Sequence, residues 1–346
     1  MSFPHFFGNE SVVSTLVQAI EQERIPQTIL IAGPEGVGKA TLARRFAASL
    51  VGEPQKIELD DQNLPHNLSV IAEREKWPAD KRAEDPLLFS THPDFVTFAP
   101  DGPLRQISIQ QMRLLKDRAQ FKPLHGRWRV FLIDHLDRAN EQAANSLLKT
   151  LEEPPDHLIM IATVENAYDL LPTIRSRSVI FQMGRLSEEE MAAFMRERDL
   201  PDAPRRIALA AGSPGIAVAL DMESFDARRG AMLALLAAGA GAAPFAAWVK
   251  HSEAIAVKKS EKLELYLQVL YLLLGDLISL RHGGDRLRNA DIKKELSSIA
   301  GKVDFPWIEN AVRGVDELVE NLRRNIQKSI ALDALVVQLR SKSALP

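Results

Sequence analysis

The sequence predicts an α/β fold, a parallel sheet covered on both faces by helices, followed by an all-helical C-terminal part. Three observations point there. Short apolar runs alternate with helix-length segments of period 3.6 over roughly the first 180 residues. The first such run leads straight into a glycine-rich turn and a helix. After Gly184 the strand signal stops. A length of 346 residues admits two or three domains at about 150 residues each. With 46% hydrophobic and 26% charged residues, the chain is neither mainly disordered nor collagen-like. Lys+Arg number 43 against 46 Asp+Glu, a net charge of −3, which excludes wrapping nucleic acid by bulk charge and leaves a local basic patch open. Cysteine is absent, so there is no disulfide framework and no cysteine-ligated zinc, as fits a cytoplasmic protein. Residues 1–9 have neither the basic start nor the apolar run of a secretory signal.

Each element has its own justification. Val13, Leu16, Val17 and Ile20 form an i, i+3, i+4, i+7 stripe, which predicts a helix over 10–22. The apolar run 28–32 reads as a buried strand, and 41–50 as the helix after the glycine-rich turn. Residues 51–90 are polar, proline-containing and without clear period, and are expected to form a surface insertion. A weak strand is expected at 96–98, and a helix at 109–119 with Met112, Leu115 and Ala119 on one face. A strand over 130–133 ends at Asp134. The helix 141–153 carries Ala144, Leu147, Leu148 and Leu151 as its stripe and stops at Pro154-Pro155. Two more strands are expected at 158–163 and 178–181. Ser187 before Glu188, Glu189 and Glu190 reads as a helix N-cap with an acidic first turn. Residues 230–249 carry no charge, but they are rich in Ala and Gly and contain Pro244; a packed helix and a break are expected, not a membrane span.

Gly33-Pro34-Glu35-Gly36-Val37-Gly38-Lys39 stands between a strand and a helix and has the G-x-x-x-x-G-K spacing of a P-loop. Glycines let backbone N–H groups turn around a phosphate; the helix start and the lysine add positive potential. Yet Ala40 stands where a Ser or Thr hydroxyl would ligate Mg²⁺. Thr41 follows, but one helical step turns a side chain by about 100°. Asp134 is placed to hold Mg²⁺ through water, while His135 occupies the place of the glutamate that polarises the attacking water. Both substitutions argue against useful ATP hydrolysis, and weak or absent ATP/ADP binding is expected.

Residues 143–155, Ala-Ala-Asn-Ser-Leu-Leu-Lys-Thr-Leu-Glu-Glu-Pro-Pro, resemble the signature helix of bacterial clamp-loader subunits. Residues 173–178, Thr-Ile-Arg-Ser-Arg-Ser, resemble their Ser-Arg-Cys motif, with Ser178 replacing cysteine. Weaker matches are Phe7-Gly8-Asn9, His92-Pro93-Asp94, the turn 211–215, and Arg324-Asn325 through Leu332-Asp333. Within that family a degraded P-loop with an intact Ser-Arg motif is similar to delta-prime-type subunits of DNA polymerase III. The resemblance implies an AAA+ chain: a RecA-like domain (1–184, with the 51–90 insertion), a small helical lid (185–240) and an all-α collar (241–346). It implies a non-hydrolysing stator, not an enzyme by itself. Its partners would be gamma/tau and delta subunits and, through the complex, the sliding clamp and primer-template DNA, with no membrane. Arg177, with Ser176 in the motif, would be the arginine finger offered to a neighbour's ATP; a local salt bridge by Arg177 or Arg175 is the plainer reading. The alternative function is an ATP-hydrolysing subunit of the gamma/tau type, using Lys39, Thr41 and Asp134.

Three departures from the family pattern matter. The insertion lacks the four cysteines that bind zinc in many relatives, so it must hold itself by packing or stay loose, and no zinc or other required cofactor is expected. Gly215 stands where active relatives often have a sensor arginine. Ser178 is as small as the cysteine it replaces. Thr163 and Asn166, at the end of the strand after the signature helix, are expected to serve packing and loop hydrogen bonds. The eight histidines show no helical metal-ligand spacing, so no metal site is expected. Asp60-Asp61 reads as a solvated loop. Arg113, Lys116, Arg118 and Lys122 are a candidate DNA-backbone contact, or an ordinary solvated face.

Overall fold

The computed structural model describes residue 3 and residues 5–257, 261–321 and 327–341. Arg324 and Asn325 of the closing motif lie outside the described residues. Contacts divide the chain into two compact units, Met1–Asp199 with Gly212–Ile216, and Leu200–Ala211 with Ala217–Pro346.

The first unit is built on six strands: β1 (Thr28–Ala32), β2 (Leu88–Phe89), β3 (Phe95–Phe98), β4 (Arg129–Ile133), β5 (Leu158–Val164) and β6 (Val179–Gln182). Their order is β2-β3-β4-β5-β1-β6. All neighbours run parallel except β2, which pairs antiparallel with β3. The parallel sheet expected from sequence is present, with β2 as an added antiparallel edge: the link from β2 to β3 is too short for a crossover, so the chain must return antiparallel. Every residue of β1, β3, β4 and β5 is buried, as a sheet covered on both faces requires. Alternate residues serve opposite cores. Leu30, Phe98, Phe131 and Met160 meet the helices Ile109–Ala119 and Glu141–Glu152. Ile29, Phe95, Leu132 and Ile161 meet Leu16, Leu42 and Phe46 from the helices Glu10–Glu21 and Lys39–Val51. In the first helix Val12 is buried, while Val13 and Ile20 of the expected stripe are partly buried.

The 51–90 segment is more ordered than its composition suggests. It forms three helices, Pro54–Glu58, Pro65–Arg74 and Ala79–Glu84. Arg74 is buried; its Nε donates to Asp101 Oδ1 at 3.1 Å and its Nη2 to Asp101 Oδ2 at 2.8 Å. Arg44, also buried, donates to Glu58 at 2.9 Å and to Asp61 at 2.6 Å. Asp60 is 1% exposed, which overturns its reading as a solvated loop residue. Its Oδ1 accepts the Thr91 N–H at 3.0 Å, because the turn after the first short helix folds inward onto the link to β3.

Among its described residues the second unit forms helices and no strand. One core joins Leu209, Phe225 and Leu235 to Trp248, Leu270, Trp307 and Leu335, so residues on both sides of position 240 share it. The helix Glu188–Glu197, expected in the lid, groups instead with the first unit. It begins with the expected cap: Ser187 Oγ accepts the Glu190 N–H, and Glu190 Oε2 accepts the Ser187 N–H. Residues 230–249 form the end of the helix Met222–Gly239, a break, and the start of the helix Phe245–Val257, as expected. Among the described residues one helix, Leu263–Arg281, is long and apolar enough to cross a membrane. Half of that window is buried, and Leu270, Leu273 and Leu277 lie in the unit's core.

Candidate functional site

The P-loop leaves β1 with a hydrogen bond from Gly33 N–H to the Val164 carbonyl at 3.2 Å. A Cβ on Gly33 would stand 2.6 Å from the Met183 carbonyl oxygen, so only glycine fits there. Gly36 has φ +74, and its carbonyl accepts the Gly215 N–H at 2.8 Å. Gly38 caps the helix Lys39–Val51, its carbonyl accepting the Leu42 N–H at 2.9 Å. The Lys39 ammonium turns back into the loop, donating to the carbonyls of Gly33 at 2.7 Å and Pro34 at 2.8 Å. Burial pushes the Lys39 pKa down; the charges of Glu165, Asp134, Asp137 and Glu35 oppose this. Ala40 and Thr41 lie half-buried on the first turn of the helix.

Asp134 sits at the end of β4, buried, one strand away from the P-loop strand. Gln62 Nε2 donates to its Oδ2 at 2.6 Å, and Thr163 Oγ1 donates to its Oδ1. Thr163 Oγ1 also accepts the His135 N–H at 2.9 Å. The expected hydrogen-bonding role of Thr163 is thus present. Asn166 plays the same kind of local part, its Oδ1 accepting the Tyr168 N–H at 3.1 Å. Gln62 was not singled out from sequence: nothing along the chain signals that the insertion reaches Asp134. Gly215 packs against Gly36, where a Cβ would meet the Gly36 oxygen at 3.0 Å. A sensor side chain is therefore missing at 215, and the P-loop backbone also fills the space beside it.

The Ser-Arg motif lies between the short helix Pro172–Arg175 and β6. Arg177 Nη2 pairs with Glu152 Oε1 at 2.9 Å, and its Nη1 donates to the Thr173 carbonyl at 3.1 Å. Glu152 is the last residue of the helix Glu141–Glu152, so the two family motifs meet in one ion pair. Arg177 stays about one-third exposed in its side chain. The Ser176 hydroxyl donates to the Thr173 carbonyl at 3.1 Å, and that of Ser178 to the Ile174 carbonyl at 2.9 Å, both holding the turn. Arg175 points elsewhere, its guanidinium 4.8 Å from the centre of the Tyr168 ring. Arg113, Lys116 and Lys122 are exposed and Arg118 half-exposed.

The residues 8–187 match the family described as DNA polymerase III, delta subunit. A gamma subunit of DNA polymerase III from Buchnera aphidicola subsp. Schizaphis graminum is 30% identical over 196 residues, 56% of this chain and 48% of that protein. The tau/gamma subunit from Haemophilus influenzae is 26% identical over 221 residues, 62% of this chain and 29% of that protein. The Escherichia coli K12 tau subunit is 27% identical over 214 residues, 61% of this chain and 30% of that protein. The chain thus spans less than half the length of these relatives. Among solved structures, a gamma-subunit-related protein from Thermotoga maritima superposes with a TM-score of 0.47 at 17% identity, over 95% of this chain and 99% of that one. The P-loop, the signature helix and the Ser-Arg turn all lie inside the matched residues, and the chain belongs to the DNA polymerase III delta-subunit family of clamp-loader proteins.

Proposed function

We propose that this chain is a delta-prime-type stator of the bacterial clamp loader. It assembles in the cytoplasm with gamma/tau and delta subunits and helps load the sliding clamp onto primed DNA. It hydrolyses no ATP of its own, needs no cofactor for this role, and lends Arg177 to the ATP held by a neighbour. The observation that carries the reading is Asp134, whose two oxygens are bonded to Gln62 and Thr163 while position 40 offers a methyl group. Mg²⁺ would find no hydroxyl at position 40, and both oxygens of Asp134 are already engaged. His135 and Gly215 support the same reading. Arg177 suits a trans role because its planar fork is partly exposed.

A second reading, an ATPase of the gamma/tau type, is favoured by the names of the relatives and by Lys39 and Asp134 at their expected places. Steady-state ATP turnover separates the two. The chain alone is expected to be silent. The assembly reconstituted with delta and gamma/tau, clamp and primed DNA is expected to lose turnover on Arg177→Ala, by about 10³-fold if this finger acts as trans fingers do in GTPases. Glu152→Gln, which removes only the half-exposed tether, is expected to keep most of the activity. Turnover by the chain alone, abolished by Lys39→Ala, would establish the ATPase reading instead.

A further inference from the structure

β4 and β5 are parallel neighbours with Ile133 opposite Ala162, so the segments that leave their C-terminal ends stay side by side. There the fold brings together three side chains that are far apart in sequence. A ring nitrogen of His135 and one carboxylate oxygen each of Asp137 and Glu165 lie within 4.8 Å of one another. His135 has φ +56, a left-handed turn that brings it and Asp137 to this corner.

A second observation concerns what these groups lack. His135 Nδ1 and Asp137 Oδ1 are buried and have no hydrogen-bond partner. Leaving such an atom unsatisfied is costly, and buried polar atoms without partners are rare enough to need a cause. No ion pair reaches Asp137 or Glu165 among the described residues. Lys39 feels both charges, but its hydrogen bonds go to the Gly33 and Pro34 carbonyls. Two carboxylates and an imidazole therefore converge with no lysine or arginine paired to them among the described residues.

We propose that His135, Asp137 and Glu165 bind a first-row divalent cation of the Zn²⁺ and Mn²⁺ class, with water completing its coordination. Metal–ligand bonds of about 2.1 Å place neighbouring ligand atoms roughly 3 Å apart. The cluster must close from within 4.8 Å to that spacing, and the exposed Glu165 side chain has room to move. The imidazole ligand suits Zn²⁺, the two carboxylates and water suit Mn²⁺, and the Irving–Williams order puts Zn²⁺ above Mn²⁺. The bound ion ties the end of β4 to the end of β5 beside the P-loop. The expectation of no metal site rested on spacing along the chain; here the strand register creates the spacing. Because the readout is binding, the proposal stands or falls independently of whether the chain hydrolyses ATP.

The test uses the full chain with Mn²⁺ followed by electron paramagnetic resonance, and with chelator-buffered Zn²⁺ followed by equilibrium dialysis. One Mn²⁺ is expected per chain, displaced by Zn²⁺ but not by an equal concentration of Mg²⁺. His135→Ala and Glu165→Gln are each expected to weaken binding on the order of tenfold or more. Asp134→Asn is expected to retain the ion, which separates this set from the neighbouring carboxylate. Zn²⁺ is expected to raise the melting temperature of the wild type but not of Glu165→Gln, whose exposed site leaves the fold intact. The absence of saturable binding, or binding unchanged in both variants and so owed to other histidines, would overturn the proposal. Loss on Asp134→Asn as complete as on His135→Ala would overturn it too.

Discussion

Position 215 joins two constraints that the sequence presents separately, a missing sensor side chain and a glycine-rich loop. Its N–H donates to Gly36, and a Cβ there would meet the Gly36 oxygen at 3.0 Å and the Gly36 Cα at 3.1 Å. The obstructing atoms are backbone atoms of a loop whose Gly33 and Pro34 carbonyls are held by Lys39, so they cannot swing away as the tip of a side chain does. Gly215→Arg is expected to destabilise the protein by about 1–3 kcal/mol, and Gly215→Ala by most of that amount, because the conflict lies at Cβ. Thermal unfolding of both variants checks this; an arginine variant as stable as wild type would mean that the loop yields easily. Ala40 tests the chemistry at the same scale. Ala40→Thr restores a hydroxyl, but His135 and the Gln62 contact to Asp134 remain. Turnover by the chain alone is expected to stay at background. A clear gain would identify the methyl group as the sole block.

At the scale of elements, the 51–90 segment shows how a polar insertion without cysteines holds its shape. Its apolar cluster is small, centred on Ile71, Leu87 and Ala99. Much of its order comes from buried guanidinium groups. Arg74 spans Asp101 and Asp85 and lies 4.6 Å from the Trp77 ring centre. Removing one partner of a buried pair leaves the other charge uncompensated, at a cost of about 3 kcal/mol or more. Arg74→Ala is therefore expected to lower stability by that amount and to expose the insertion to limited proteolysis. Cleavage no faster than in wild type would assign the order of this segment to its apolar cluster. These helices were not legible in the sequence for a physical reason. They span five, ten and six residues, two of them open on proline, and an apolar stripe has no room to repeat in the shorter two. The strands, by contrast, were legible, because a sheet buried on both faces needs continuous apolar runs and 28–32, 130–133 and 158–163 supply them. The P-loop and the Ser-Arg turn were legible because their chemistry is local. The contact of Gln62 with Asp134, the ion pair of Arg177 with Glu152, and the corner of His135, Asp137 and Glu165 depend on which chain segments the fold brings side by side.

At the scale of the whole molecule, the two units answer acid differently. In the first unit the His92 ring is 1% exposed; its Nδ1 accepts the Asp94 N–H at 3.0 Å, and its Nε2 lies 3.3 Å from Glu53. Burial pushes the His92 pKa below its ordinary value, with Glu53 and Asp94 opposing. The folded unit then binds fewer protons than the unfolded chain. Stability is complete above the unfolded value of about 6.5 and is lost as pH falls through the lowered folded value. Asp60 acts in the opposite sense, since burial raises its pKa; its contribution is present at low pH and lost as pH rises through the folded value. In the second unit the hydrogen bond from Arg229 holds Asp291 below the usual carboxylate range. That contribution is complete above about pH 3.9 and is lost only as pH falls through the lowered value. Between pH 7 and 5 the second unit is therefore expected to keep its stability while His92 weakens the first. Tryptophan fluorescence separates them, because Trp77 and Trp128 lie in the first unit and the buried Trp248 and Trp307 in the second. With Trp77 and Trp128 replaced by phenylalanine, the denaturant midpoint of the second unit is expected to hold steady across this range. With Trp248 and Trp307 replaced instead, the midpoint of the first unit is expected to fall more steeply in the otherwise native chain than in His92→Gln. Equal slopes in those two proteins would remove His92 as the cause, because the neighbouring Asp60 and Glu53 are present in both.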